Sequence, residues 1–171
     1  ASGEGVRIST DSRHNLVDSN NISTNGSAGS NYGINVLTRA TSNNITNNVI
    51  NTSGTSANHG IEITTSNTTI ILNNSIVTGG PSGSNRGISI VTKSFFNNVT
   101  HNRLSHNGGT SSNEGIRLEN NADISVFEYN NISTNGSTTG NNGINLVTST
   151  GNNITNNVIF TNGSSTNYGV V

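Results

Sequence analysis

Several residue types that usually stabilise small domains are missing or rare in this chain. It has no cysteine, methionine or tryptophan, and only four phenylalanines and three tyrosines among 171 residues. Without cysteine, disulfide bridges and thiolate metal sites are excluded. Hydrophobic residues make up 28%, a low share for a globular domain. A broad hydrophobic core is therefore not expected.

Charge is also scarce, which excludes further classes of protein. Charged residues make up 9% of the chain and the net charge is −1. Low hydrophobicity predicts disorder when net charge is high, and that charge is missing here. Seven basic against eight acidic residues leave no basic stripe, so no nucleic-acid partner is expected. No apolar run approaches the roughly 18 residues of a membrane span, so none is predicted.

A repeat dominates the sequence instead. The pattern of glycine, aliphatic, variable and aliphatic residue recurs every 26 to 28 residues, and a seventh start stands at Gly169. Alternation of apolar and variable residues indicates a strand with one buried face. Units this short cannot bury that face alone, so they are expected to stack as a solenoid. The six full repeats begin with Gly5, Gly33, Gly60, Gly87, Gly115 and Gly143.

A second strand is predicted in every repeat, with an asparagine between two apolar columns. An unpaired buried amide costs a few kcal/mol, so these asparagines are expected to hydrogen-bond along the axis as a ladder. The first apolar column is Val17, Ile45, Ile71, Val99, Phe127 and Ile154. The second is Ile22, Ile50, Ile76, Leu104, Ile132 and Ile159. The asparagine file is Asn20, Asn48, Asn74, Asn102, Asn130 and Asn157.

Two further files are expected to form corners. Asparagine tolerates left-handed backbone and bonds its own main chain at turns, so a second asparagine file is predicted to set the corner before the first strand. A glycine file is predicted to form the opposite corner through positive φ. The second asparagine file is Asn31, Asn58, Asn85, Asn113, Asn141 and Asn167. The glycine file is Gly26, Gly54, Gly80, Gly108, Gly136 and Gly163.

These patterns predict an all-β fold: a right-handed, single-stranded parallel β-helix of about six coils of 26–28 residues, occupying residues 1–171 as one domain. No helical stripe persists, and glycine and asparagine are poor helix formers. At about 4.8 Å per coil the rod would be roughly 30 Å long.

Residues 43–50 (NNITNNVI), repeated identically at 152–159, resemble the parallel β-helix repeat of NosD-like and pectate-lyase-like proteins. The resemblance covers essentially the whole chain and implies this fold. That superfamily contains polysaccharide lyases and hydrolases, tail spikes, surface-layer and sheath components, and periplasmic accessory proteins. The resemblance therefore leaves several functions open.

Polysaccharide-cleaving members of such families resemble one another in grouping acidic residues with Arg or Lys on one face. The only concentration here is in the fifth repeat, and we interpret it as surface ion pairing rather than catalysis, so no catalytic residue and no enzyme activity are expected. It consists of Glu114, Arg117, Glu119, Asp123 and Glu128. Histidines fall in different columns, so no metal or cofactor is expected. They are His14, His59, His101 and His106, the last in a file of threonines that indicates packing.

Eleven Asn-x-Ser/Thr sequons suit a glycosylated, secreted protein at the cell surface, although a chain rich in Asn, Ser and Thr also generates sequons by chance. A start at Ala1 and Ser2 would fit a mature chain left by signal-peptide cleavage. The candidate acceptors are Asn21, Asn25, Asn44, Asn51, Asn67, Asn73, Asn98, Asn131, Asn135, Asn153 and Asn162.

The favoured hypothesis for function is a structural subunit. The repeat phase runs from Gly5 to Val171 without a recognisable cap, so end-to-end self-association through the terminal coils is expected to build an extracellular filament, sheath or surface layer. A segment of a longer array fits equally well. Two alternatives are a polysaccharide-binding or polysaccharide-processing protein and an ice-binding surface. The ice-binding hypothesis depends on a threonine file, broken by Asn120, at Thr10, Thr38, Thr65, Thr92 and Thr148.

Overall fold

The computed structural model describes residues 3–27, 30–55, 57–81, 83–107 and 109–171. Within these ranges no residue is helical and every strand pairing is parallel. Strands from successive repeats stack into three sheets of six, which makes the fold a parallel β-solenoid, as the repeat predicts. The right-handed sense of the winding stays a prediction. Gly108, Ala1 and Ser2 lie outside the described residues.

Each repeat contributes three strands. In chain order they are β1 (Glu4–Ile8), β2 (Leu16–Asp18), β3 (Asn21–Gly26), β4 (Asn31–Leu37), β5 (Asn44–Thr46), β6 (Val49–Gly54), β7 (Asn58–Thr64), β8 (Ile70–Leu72), β9 (Ser75–Gly79), β10 (Arg86–Val91), β11 (Asn98–Thr100), β12 (Arg103–Asn107), β13 (Glu114–Glu119), β14 (Val126–Glu128), β15 (Asn131–Asn135), β16 (Ile144–Val147), β17 (Asn153–Thr155) and β18 (Val158–Asn162). The first sheet is β1-β4-β7-β10-β13-β16, the second is β2-β5-β8-β11-β14-β17 and the third is β3-β6-β9-β12-β15-β18.

The prediction of a single second strand per repeat was wrong, because that segment is bent into two strands on different sheets. The bend lies at the residue before each ladder asparagine, where φ is between 54° and 58°. An extended strand cannot continue through such a left-handed residue. The bend residues are Ser19, Asn47, Asn73, His101, Tyr129 and Asn156.

The core is a narrow channel enclosed by the three sheets. Ile34, Ile45 and Ile50, one from each sheet of the second repeat, are all at most 1% exposed. A Cβ placed on Gly33 would lie 2.2 Å from Cγ2 of Ile50. The repeat glycine is therefore required by close packing between the first and third sheets.

The predicted positive φ is found at only part of the glycine corner. Gly54 and Gly80 have φ of 157° and 159°, whereas Gly26, Gly136 and Gly163 do not have positive φ. A Cβ on Gly54 would also lie 2.3 Å from Nδ2 of Asn31. The asparagine amide packed against the backbone therefore excludes a side chain at Gly54 in addition to the effect of φ.

Candidate functional site

The first asparagine file forms a continuous hydrogen-bonded ladder. Nδ2 of Asn20 donates to Oδ1 of Asn48 at 3.1 Å, and the later steps are 2.9–3.0 Å long. Asn48 makes two further hydrogen bonds. Its Nδ2 donates to the carbonyl of Val17 at 2.8 Å, and its backbone N–H donates to Oδ1 of Asn74 at 2.9 Å. Because every donor and acceptor of the amide is used, the buried polar column stabilises the stack.

The second asparagine file behaves in the same way. Nδ2 of Asn31 donates to Oδ1 of Asn58 at 2.9 Å, and the remaining steps measure 2.8–3.0 Å. None of these asparagines has positive φ; in the later repeats the left-handed residue is the preceding one, such as Ser84 and Ser112. The stacking predicted from the sequence is present in both files, and in both the amide donates toward the following repeat.

A third polar column was missed by the sequence analysis because its residues differ between repeats. Nδ2 of Asn15 donates to Oδ1 of Asn43 at 2.9 Å, and the backbone N–H of Asn97 donates to Oγ of Ser125 at 3.1 Å. The shared signal is a short polar residue two positions before the first apolar column. The column consists of Asn15, Asn43, Thr69, Asn97, Ser125 and Asn152.

The main cluster of charges lies on the outer face of the first sheet. Glu114, only 2% exposed, contacts Nε of Arg86 at 3.1 Å and Nη1 of Arg117 at 2.8 Å. Arg117 also binds Glu119, with Nη2 and Oε2 2.7 Å apart. Three residues of the predicted fifth-repeat patch therefore meet, and Arg86 joins them from the preceding repeat.

The other two acidic residues of that predicted patch lie elsewhere. Oδ1 of Asp123 accepts a hydrogen bond from the backbone N–H of Thr150 at 2.6 Å, in the bend that leads to the second sheet. Oε1 of Glu128 accepts one from the hydroxyl of Thr155 at 2.9 Å, on the second sheet itself. Asp123 and Glu128 therefore do not join the charged cluster, because the chain bends between Glu119 and Asp123.

The third and second repeats extend this face with Glu62, His59 and Tyr32. Burial raises the pKa of the Glu62 carboxyl, and the positive charge of Arg86 partly opposes that rise. Burial lowers the pKa of His59 to about 3, with a smaller effect of Arg86. The neutral imidazole stacks on the ring of Tyr32, with centroids 5.5 Å apart. The face thus combines one carboxyl of raised pKa with two carboxylates paired to arginine.

The histidines remain separate in the structure. His101 stacks on Tyr129 with ring centroids 5.0 Å apart. His106 is 1% exposed, pairs in register with Thr78 and Thr134 of its file, and bonds the Thr78 hydroxyl through Nδ1. In the part of the chain that the structure describes, no three His, Cys, Asp or Glu residues are grouped so as to hold a metal ion.

The sequon asparagines occupy the outside of the solenoid. Ten of the eleven are exposed and Asn67 is half-buried, whereas the ladder asparagines are buried except in the terminal repeats. Asn44, Asn98 and Asn153 share an outward column of the second sheet with aliphatic residues. The members of that column are Leu16, Asn44, Ile70, Asn98, Val126 and Asn153.

The threonine file does not form a flat strand face. Its members have φ between 49° and 57° and stand at the bend after the first sheet. The regular planar array that an ice-binding surface needs is therefore missing at Thr10, Thr38, Thr65, Thr92 and Thr148.

Comparison with protein-family models, with curated proteins and with solved structures finds no match for this chain. None of the described residues belongs to a helix that could cross a bilayer. The site is therefore interpreted from its own geometry.

Proposed function

We propose that the chain is a structural rod of an extracellular filament, sheath or surface layer, which extends by head-to-tail stacking of coils. The observation that carries this proposal is the polarity of the first asparagine ladder. Oδ1 of Asn20 accepts no hydrogen bond from the described residues, and the backbone N–H of Asn157 has no acceptor among them. A last repeat placed on a first repeat would join this donor to that acceptor, as every internal step does.

Polarity also selects the direction of assembly. Two first repeats placed face to face would oppose acceptor oxygens, whereas unlike ends continue the existing pattern. Such heterologous contacts do not close on themselves, so they generate filaments. The exposed edges of the three sheets offer backbone groups for the same contact. In the last repeat Leu146, Ile154 and Ile159 pack on the core but stay partly exposed, so stacking would bury further apolar area.

Electron microscopy and sedimentation of the purified chain over a range of concentrations test this proposal. We expect fibres whose diffraction shows an axial spacing of about 4.8 Å. Asn157→Asp places a negative charge at the ladder end and should suppress fibres. Asn162→Asp makes the same change at an exposed, outward position and should leave them intact. Monodisperse particles at all concentrations, with a native circular dichroism spectrum, would reject stacking.

A second candidate function is the binding or processing of polysaccharide on the outer face of the first sheet, which the resemblance to NosD-like and pectate-lyase-like repeats supports. The specific observation in its favour is the contrast between Glu62, whose pKa burial raises, and Glu119, which is paired to Arg117. Carboxyls in such contrasting environments suit acid and base roles. Polyuronates and neutral glycans should then be retained or cleaved, and Glu62→Gln and Glu119→Gln should each reduce that activity. Unchanged glycans exclude processing.

The extracellular location belongs to the same proposal. Its support is the segregation of the sequon asparagines on the outer surface, where attached sugars would not disturb the buried ladders.

A further inference from the structure

Asn98 lies at the centre of a patch of exposed apolar side chains on the second sheet. Ile70 and Val126 are its direct register partners in the preceding and following repeats. Ile70 is 38% exposed, and the neighbouring bend residues Phe96 and Ile124 are 57% and 52% exposed. In a chain with 28% hydrophobic residues, neighbouring apolar side chains on an outer face offer a contact surface for a group that covers them.

The backbone under this patch is unfavourable for the residues it carries. Phe96 has φ of 58° and Ile124 has φ of 53°. Bulky and β-branched residues at left-handed positions are outliers, and such strain concentrates at functional sites. The same bend position holds smaller or polar residues in the other repeats: His14, Ser42, Thr68 and Gly151. Apolar groups are thus held in solvent beside Asn98 against the local conformational preference.

The side chain of Asn98 is available for N-glycosylation. It heads the sequon Asn98-Val99-Thr100, and the fully buried Val99 fixes the strand so that Asn98 points outward. Its side chain is exposed and makes no hydrogen bond within the described residues. Two other sequons are less available. Oδ1 of the half-buried Asn67 accepts a 2.7 Å hydrogen bond from the Phe95 backbone, and Asn153 bonds Glu128 at 3.4 Å.

We infer that Asn98 carries an N-linked glycan whose first sugar packs its C–H face against Phe96, Ile70 and Val126. In the attachment step Nδ2 of Asn98 forms a bond to C1 of the sugar of a polyprenyl-diphosphate-linked oligosaccharide. The C1–O bond to phosphate breaks, the polyprenyl diphosphate leaves, and the amide loses one proton to a base. This inference rests on the extracellular location in the proposed function. The sugar removes apolar surface from water, which explains the patch.

Secretion from a eukaryotic host that attaches N-glycans, followed by glycopeptide mass spectrometry, tests the inference. We expect occupancy at Asn98 and none at Asn67. Thr100→Val removes the sequon while keeping Asn98, and should lower the melting temperature by roughly 2–4 °C. The glycan at Asn98 is thus expected to raise the melting temperature, and trimming it to its first sugar should preserve this increase.

A matched control is the sequon at Asn135, whose register partners in the third sheet are Asn107 and Asn162. Ser137→Ala, which removes that sequon, should change the melting temperature by much less than Thr100→Val. Phe96→Ser should abolish the increase in melting temperature that the Asn98 glycan causes, and it should not alter the effect of a glycan at Asn135. Absence of a glycan at Asn98 overturns the inference whether or not other sequons are occupied, and so does an occupied Asn98 without a stabilising effect. Fibre formation is scored separately on unglycosylated protein from a bacterial host, so failure of either proposal is recognised independently.

Discussion

The imidazole of His106 fills the space in front of Gly87: a Cβ on this glycine would lie 2.8 Å from Cε1 and 2.9 Å from Nε2 of the ring. At Gly33 and Gly115 the corresponding space is filled by Cγ2 of an isoleucine on the third sheet. The fourth repeat carries Leu104 in that column, and its unbranched Cβ provides no such methyl group. His106 therefore substitutes for a missing methyl, and the two exceptions to the repeat compensate each other.

This compensation predicts strong coupling between positions 104 and 106. His106→Thr alone should cost roughly 1–3 kcal/mol of unfolding free energy, because the ring leaves a cavity. The double variant Leu104→Ile/His106→Thr restores the pattern of the other repeats and should recover most of that loss. Urea unfolding of both single variants and the double variant gives the coupling energy. Additive effects would show that the two positions are independent.

Stability should fall as the pH drops below about 6.5, because two histidines are buried in the neutral form. Burial lowers the pKa values of His59 and His106 to about 3. The unfolded chain takes up these protons near pH 6.5, so each histidine removes up to about 1.4 kcal/mol per pH unit between pH 6.5 and 3.

Acidic residues with shifted pKa values also contribute to the pH dependence of stability, so the contribution of one histidine has to be isolated. Glu62 has a raised pKa in the folded state, so its contribution grows as the pH falls and partly opposes that of His59. Asp11 and Asp18 have lowered pKa values and lose their contribution at more acidic pH. Comparison of the wild type with Leu104→Ile/His106→Thr between pH 4.5 and 6.5 isolates His106. The variant should show the shallower slope, and equal slopes would contradict a neutral buried His106.

The ladders predict an uneven sensitivity to loss of asparagine. Asn74→Ala would remove the acceptor shared by the backbone N–H of Asn48 and one N–H of its side-chain amide, and it would remove the side-chain donor to the carbonyl of Ile45. We expect a loss of about 2–4 kcal/mol, since buried unsatisfied groups cost their full desolvation. Asn51→Ala, at an exposed position of β6, should change stability by less than about 0.5 kcal/mol. Chemical denaturation compares them, and similar losses would argue against a stabilising ladder.

Relief of backbone strain should stabilise the fold at Ile124. Asparagine tolerates φ near 53° far better than a β-branched residue. Ile124→Asn should raise the unfolding free energy by about 1 kcal/mol, whereas Ile124→Val keeps the β-branch and should give no gain. Thermal unfolding of unglycosylated protein measures both. A destabilised Ile124→Asn would show that packing of this exposed side chain outweighs the strain.

The contacts between equivalent residues of successive repeats could be predicted from the sequence. Residues one repeat apart stack directly, so Ile45 over Val17 and Asn48 over Asn20 follow from alignment. The outer location of most sequons follows from the same reasoning, since side chains alternate along a strand.

The bends between the second and third sheets could not be predicted from the sequence. The left-handed position before the first ladder is occupied by residues as different as Ser19, His101 and Tyr129, so no residue type identifies it. The second strand was consequently predicted as one element rather than two. The structure shows a rule that covers both bends next to the second sheet. A left-handed residue stands directly before the polar residue of the column: His14 precedes Asn15 of the mixed polar column, and Asn47 precedes Asn48 of the first ladder.

The amino-acid sequence by itself determined the parallel solenoid, its columns and its two pure asparagine ladders, because identical side chains at a fixed period can satisfy one another only by stacking. Tertiary structure alone decided the three-sided cross-section, the mixed polar column and the pairing of Arg86 with Glu114. These depend on backbone bends at variable positions and on side chains that meet between neighbouring coils, and neither leaves a periodic signal in the sequence.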